Sequence, residues 1–333
     1  MSIARLCLIV FFSWFLTTKA AIGEETRLSF PPLETLYSYH IVESPSQKRI
    51  SVTELAKALS DKDVIFIGEF HGNHAAHLFQ AQLQSKLFQQ NANQILSMEQ
   101  FNRDQQAILN RYLDSDIGEK TLIKEAPAWP NYAASYRPLV EFAKQQFIPV
   151  IAANAPADIV RCVGRQGKAY LKKLPSDAMQ QLPAEPFYNS PAYQAKFSQF
   201  MRHDNPKSPT SKNKPSNGYF AQLLRDNTMA ESIQIAHSQN PNHQIIHLNG
   251  AFHSNEYLGT VAALKHRNPH IKIAVISPVT VSDPNQPRIE PSDLSLGDYL
   301  LFVSPQPADY VQSDKRQAAI KAMFATANKK PCL

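Results

Sequence analysis

Six short apolar runs, each closed by polar or turn-forming residues, punctuate this chain: 63–70, 94–101, 148–154, 244–248, 271–279 and 298–303. Runs of that length with turn signals at both ends read as buried strands. Between them, apolar positions recur at helical spacing. Phe79, Leu83 and Leu87 fall at i, i+4 and i+8 of a helix over 74–90, and 132–146, 191–202, 219–237 and 257–266 carry similar stripes. Strands alternating with helices predict right-handed crossovers, hence an α/β fold with a mostly parallel sheet flanked by helices. Two segments depart from the alternation, because they hold helix signals and no convincing strand. The expected organisation is a first part of the α/β core over 30–102, a helical segment over 103–147, and a core strand over 148–155. An inserted all-helical subdomain over 156–243 and the last part of the core over 244–333 complete it. Residues 202–218 (RHDNPKSPTSKNKPSNG) have three prolines and no large apolar side chain, which predicts a mobile surface loop.

The first residues follow a different pattern. Arg5 precedes an apolar stretch over 6–16, and Thr18-Lys19-Ala20 supplies a small-residue exit, so 1–21 reads as a secretory signal peptide. The stretch is short for a membrane span. Cys7 follows Ala4-Arg5-Leu6, and the arginine makes a poor lipobox. The expectation is an exported protein, periplasmic, with no transmembrane span once the signal is gone. Losing Arg5 and Lys19 lowers the formal charge from +6 to +4. The remaining basic residues are scattered, which gives nucleic-acid binding no support. Cys162 and Cys332 are the other cysteines, and no CxxC occurs, so neither a thiolate metal site nor a redox motif is expected. An oxidising compartment permits a bridge between them. The reading taken is two unpaired thiols.

Chemistry concentrates where three strands end. The segment VIFIGEFHGNHAAH (64–77) delivers Glu69, His71, His74 and His77 at the exit of a buried strand. The second run ends in Ser97-Met98-Glu99-Gln100 and the fourth leads into Asn249-Gly250-Ala251-Phe252-His253. Ligands of open parallel sheets sit outside the carboxyl ends of the strands, so these three segments are expected to share one rim. Glu69 and His71, two apart, share a side of an extended chain. One reading makes Glu69, His71, Glu99 and His253 the catalytic set of a hydrolase. Glu69, His71 and His253 would then converge on a zinc ion, with Glu99 as general base. Against it, no HExxH motif is present. The blander reading makes His71 and His253 hydrogen-bonded strand-end histidines and His77 a partly exposed helix residue. Glu69 and Glu99 would then pair with Arg103 or Arg137. Two neighbouring carboxylates resist ionising together, so one of them should titrate high.

GEFHGNH, LSMEQFNRDQQAILNRYL, NYAASYRPLVEFAKQQFIPVIAAN, RDNTMAESI and LNGAFH together resemble the ChaN-like haem-binding family. That family lies within the broader TIKI and erythromycin-esterase-like superfamily, whose mark is a pair of Gly-x-x-His motifs with an intervening glutamate. The resemblance covers residues 50–305. It implies an α/β core with a helical domain, and haem held in a homodimeric site by a tyrosine with a histidine nearby. It also implies a link to an outer-membrane haem uptake system, from which the missing lipobox departs. Glu69, His71, Glu99 and His253 match the superfamily's polar cluster, and Asn154 matches the Ala-Asn strand end. Tyr136-Arg137-Pro138 matches the family's Tyr-Arg-Pro helix. Tyr136 is the first candidate ligand and Tyr132 the second, with Tyr219 and Tyr257 open. A phenolate needs a partner, since free tyrosine titrates near pH ~10. Arg137, His71 or His253 would serve, and Trp129 and Phe70 would wall the macrocycle.

Overall fold

The computed structural model describes residues 30–127, 129–204 and 215–332. The expected signal segment and most of the expected loop (205–214) lie outside the described residues. Eight strands form one sheet in the order β2-β1-β8-β7-β3-β6-β4-β5. They are β1 (Tyr39–Glu43), β2 (Arg49–Ile50), β3 (Val64–Glu69), β4 (Gln94–Asn102), β5 (Val150–Asn154), β6 (Gln244–Gly250), β7 (Ile273–Thr280) and β8 (Tyr299–Val303). The six apolar runs became β3 to β8, and they pair in parallel throughout. The sequence reading missed β1 and β2, which add an antiparallel edge against β8. Both are short and partly exposed, so no apolar run marks them.

The sheet is covered on both faces, as strands buried along nearly their whole length require. Helix α1 (Val52–Ala58) starts in a reciprocal capping box between Ser51 and Glu54. Helix α2 (His74–Gln90) starts where the Asn73 side chain accepts from the Ala76 N–H. On one face Ile65 and Ile67 of β3 pack with Phe79, Leu83 and Leu87 of α2. On the other, Val64 and Phe66 meet the helices that follow β5 and β6. Burying each such side chain stabilises by about 1.5–3 kcal/mol. The expected helix over 132–146 is broken in two. After α3 (Gln106–Leu113) and α4 (Glu119–Glu125) come α5 (Tyr132–Ser135) and α6 (Arg137–Gln145), with Tyr136 between them. Pro138 has no N–H for the Ala134 carbonyl, so the helix cannot run through.

Segment 156–243 is helical among its described residues: α7 (Ala157–Gln166), a short 3-10 turn, α8 (Ser176–Gln180), α9 (Pro191–Asp204) and α10 (Asn217–Gln239). Helices α9 and α10 take up both ends of the expected loop. Ala230 and Ile233 of α10 lie against Val64 and Phe66, so α10 is also the crossover that feeds β6. Helix α11 (Thr260–Arg267) begins three residues later than expected, because Glu256, Tyr257 and Gly259 all have positive φ. Cys162 and Cys332 are joined by a disulfide, with their Cα atoms 5.7 Å apart. The reading as free thiols is therefore overturned. The guanidinium of Arg165 donates to the carbonyls of Ala327 and Lys330 and that of Arg161 to Pro331, which holds the tail of α12 (Ser313–Lys329) beside α7. Among the described residues no helix is long and apolar enough to cross a membrane.

Candidate functional site

Register brings the three strand ends together. β3 and β6 pair Gly68 with Asn249 and Glu69 with Gly250. On the other side of β6, β4 pairs Met98 with Leu248, so Glu99 emerges at the same level. The rim they form opens into a cavity of 830 Å3, inside the usual range for small-molecule sites. Glu69, His71, Glu99 and His253 all line it, as the motif spacing predicted.

Glu69 is the anchor of the first half. Its carboxylate accepts from His71 Nδ1 at 2.8 Å, Gln80 Nε2 at 2.7 Å and Gln100 Nε2 at 3.3 Å, and from the Tyr136 hydroxyl. Burial acts to raise its pKa, but the hydrogen bond from His71 and the neighbouring His77 and His71 rings outweigh that and lower it. His77, expected to be partly exposed, is buried. Its Nδ1 meets Gln80 Oε1 at 2.9 Å, and its Nε2 accepts from the Gly72 N–H at 3.2 Å. It braces the glutamine that braces Glu69. His71 is different. Its Nδ1 is committed to Glu69, while its Nε2 has no hydrogen bond to any described residue and the ring is 43% exposed. Gly250 makes this approach feasible, since a Cβ there would sit 2.9 Å from His71 Nε2.

The second half is an ion cluster that the motif reading only partly contained. Glu99 accepts from Arg225 Nη2 and from the Gly250 N–H at 2.6 Å, and lies 3.5 Å from His253 Nε2. His253 Nδ1 meets Asp226 at 2.7 Å, and Asp226 also accepts from Tyr193 at 2.7 Å and Thr260 at 2.8 Å. Burial alone would lower the His253 pKa, yet Glu99 and Asp226 together raise it to about 9. Burial would raise that of Glu99, and His253 and Arg225 hold it well below the carboxylate range. Neither carboxylate titrates high, contrary to expectation, because each has its own donors. The expected partners are elsewhere: Arg103 pairs with Glu231, and Arg137 with Glu119. Arg225 and Asp226 sit in the RDNTMAESI segment, which was visible as a motif but had no role attached to it.

Aromatic side chains form the remaining walls: Phe70, Trp129, Phe197, Phe200 and Phe252, with Lys196 and Arg225 at the polar side. Trp129 stands edge-on to His71 at 4.5 Å between ring centres. A family model described as haem-binding uptake, Tiki superfamily, ChaN, matches residues 55–264. The chain belongs to this ChaN family. Haem-loaded ChaN of Campylobacter jejuni, with its haem bound cofacially, shares the fold at a TM-score of 0.61 and 18% identity, over 80% of this chain and 97% of that one. A mutant of the erythromycin esterase EreC in its open conformation is matched at a TM-score of 0.44 and 15% identity, over 86% and 87%. The type III effector HopBA1 is matched at a TM-score of 0.44 and 13% identity, over 85% and 100%. No curated protein matches.

The tyrosines proposed from the ChaN-family resemblance do not line the cavity. Tyr136 is fully buried and spends its hydroxyl on Glu69. Burial and the adjacent Glu69 charge push that phenol far above its ordinary value. Tyr132 is buried among the core residues of the α2 face, with its hydroxyl unpaired. Arg137 is engaged with Glu119, away from the wall. Among the described residues no group of three or more His, Cys, Asp or Glu side chains is arranged to hold a metal ion. Glu69 is saturated by donors, and His253 is clasped between two carboxylates. A metal that arrives inside its own macrocycle would ask for one imidazole nitrogen and apolar walls, and His71 and the aromatic side chains around it are of that chemistry.

Proposed function

We propose that this ChaN-family chain binds haem in the rim cavity through His71 and acts as an exported carrier in haem or iron acquisition. The observation that carries the reading is the state of His71: one ring nitrogen is held by a buried carboxylate, and the other has no hydrogen bond to a described residue on a half-exposed ring that lines the cavity. Haem, when bound, supplies ferric iron and a flat apolar surface. The chain's residues do the rest. Glu69 fixes the tautomer and orientation of His71, as carboxylates do for ligating histidines. Phe70, Trp129, Phe197, Phe200 and Phe252 would exclude water from the ring, and Lys196 and Arg225 would supply positive charge at the polar side of the cavity. The expected tyrosine ligand gives way to histidine, because Tyr136 serves Glu69. Export is supported by the disulfide, which suits an oxidising compartment. A homodimer is supported by exposed Phe70 and Phe200 at the mouth, which a second copy would cover. Recovering a mature amino terminus near residue 22 from the periplasm would check the first. A doubling of mass on adding haemin would check the second.

The test is titration with haemin. The expected result is a saturable Soret change, and about 10-fold or greater weakening in His71→Ala, the size that even supporting partners of a metal ligand command. The hydrolytic alternative uses the same pair, with His71 as a base oriented by Glu69. It would appear as ester turnover abolished by His71→Ala, with no Soret change in the parent protein. An unchanged Soret titration in His71→Ala rules out the cavity as the haem site.

A further inference from the structure

The positive charge of this chain is unevenly placed. Basic residues occur along the whole sequence, but residues 22–312 balance 27 of them with 27 acidic ones. The excess of +4 therefore falls on residues 313–330, where Lys315, Arg316, Lys321, Lys329 and Lys330 are set against Asp314 alone. These residues form α12 and its C-cap, beyond the residues 55–264 that the family model matches. All five basic side chains are exposed, and none pairs or hydrogen-bonds with a described residue. Ala319, Ile320, Met323 and Ala327, at i, i+1, i+4 and i+8, form an apolar stripe along one side of the helix. The two alanines are half-buried, whereas Met323 is 60% exposed and Ile320 42%. The body of the protein grips the helix by its end instead. Arg161 and Arg165 donate to the carbonyls of Ala327, Lys330 and Pro331, and the Cys162–Cys332 bond closes the same end.

We propose that α12 is a docking helix whose partner is an anionic lipid surface, on which it lies flat with its apolar stripe among the headgroups. A helix in a protein owes most of its stability to whatever covers its apolar side, and this chain leaves Met323 and Ile320 uncovered. The charges around the stripe say what the cover is. Arg316, four residues before Ile320, and Lys330, three after Ala327, continue the same side at its two ends, and Lys315 flanks it. Side chains of that length lay their methylene stems along an apolar surface and leave their charged heads at the level of the phosphates. Lys321 and Lys329 stand behind, one helix diameter away, which is within the reach of unscreened charge. A second copy of the chain is a poor cover, because it would set +4 against +4. A sheet of lipid phosphates engages all five cations together. The tether at Cys332 then carries the body of the protein to the bilayer. Attachment of this kind is reversible and salt-sensitive, and it is independent of what occupies the rim cavity.

The experiment is co-sedimentation of the exported chain, its disulfide intact, with vesicles. One set holds equal parts of phosphatidylglycerol and phosphatidylcholine, the other phosphatidylcholine alone. The expected result is binding to the anionic vesicles only, weakened on raising NaCl from about 0.1 to about 0.5 M. Lys315→Gln, Arg316→Gln and Lys330→Gln together should weaken it on the order of 100-fold. Ile320→Gln with Met323→Gln should weaken it about 10-fold, with the charge unchanged. All five positions are exposed, so both variants should unfold in urea as the parent does. Equal binding to the two vesicle types, binding to neither, or unchanged binding in either variant overturns the proposal. So does a lipid-free dimer, seen by sedimentation equilibrium, that Ile320→Gln with Met323→Gln dissociates, since the stripe is then an interface between copies of this chain. Haemin plays no part in the readout, so failure here and failure of the haem titration are told apart.

Discussion

His253 lies between Asp226 at 2.7 Å and Glu99 at 3.5 Å, almost sealed from solvent, and this makes it a fixed cation rather than a ligand or base. With a folded pKa of about 9 against 6.5 unfolded, its contribution is complete below pH 6.5 and disappears as pH rises through 9. At 1.36 kcal/mol per unit that is on the order of 3 kcal/mol. His247 behaves oppositely. Buried and lowered to about 3, it costs stability as pH falls from 6.5, where the unfolded chain gains a proton that the folded one refuses. Urea midpoints measured from pH 5 to 10 should therefore decline on both sides of neutrality. His253→Gln should cost about 3–5 kcal/mol near neutral pH by removing the cation between Asp226 and Glu99, which leaves Asp226 with hydroxyl donors alone, and should flatten the alkaline decline. An alkaline decline of unchanged size in that variant would show that another group causes it. At this scale the sequence exposed Glu69, His71, Glu99 and His253, because motif spacing at strand exits is local. It could not expose that Arg225 and Asp226, on a helix 126 and 27 residues away from the groups they bind, would decide their charges.

The strands were legible because β3 and β6 are buried along their whole length, which favours short, mainly apolar runs such as Val64–Ile67 and Ile245–Leu248. The antiparallel edge was not, since partly exposed strands of two and five residues leave no such run. The opposite edge, β5, is protected by a single side chain. Gln106, the first residue of α3, donates from Nε2 to the Val150 carbonyl at 2.9 Å and accepts the Ala152 N–H at 2.7 Å, so its amide stands in for a neighbouring strand. Exposed edges template aggregation, and this is a compact way to block one. Gln106→Leu should cost about 1–3 kcal/mol by stranding those two backbone groups, and should raise self-association. Equal urea midpoints and equal light scattering in the parent and the variant would dismiss the capping role. The break at Tyr136 follows from Pro138, and the proline was in plain view in a segment whose periodicity nonetheless argued for one helix.

Across the whole molecule, the disulfide joins residues 170 apart, yet it secures little of the core. Helix α12 is exposed along most of its length. Closing a loop of that size restrains the unfolded chain by about 5 kcal/mol in the chain-entropy model. Without the bond, however, the folded protein's tail regains similar freedom, and the two effects largely cancel. Cys332→Ser should therefore lower the stability read from urea unfolding by less than about 1 kcal/mol while making the tail beyond residue 304 readily cleaved by protease. A large loss of global stability with the tail still resistant would contradict this. The amino-acid sequence alone determined the six core strands, the helices between them and the polar groups at their exits, because burial and backbone period act over a few residues. Tertiary structure alone decided that β6, some 180 residues after β3 in the chain (about 3 Å per residue if extended), slots between β3 and β4. That insertion brings His253 to Glu99. Pairing across such distances depends on which faces pack and which charges must be compensated in the interior, and no local pattern records either.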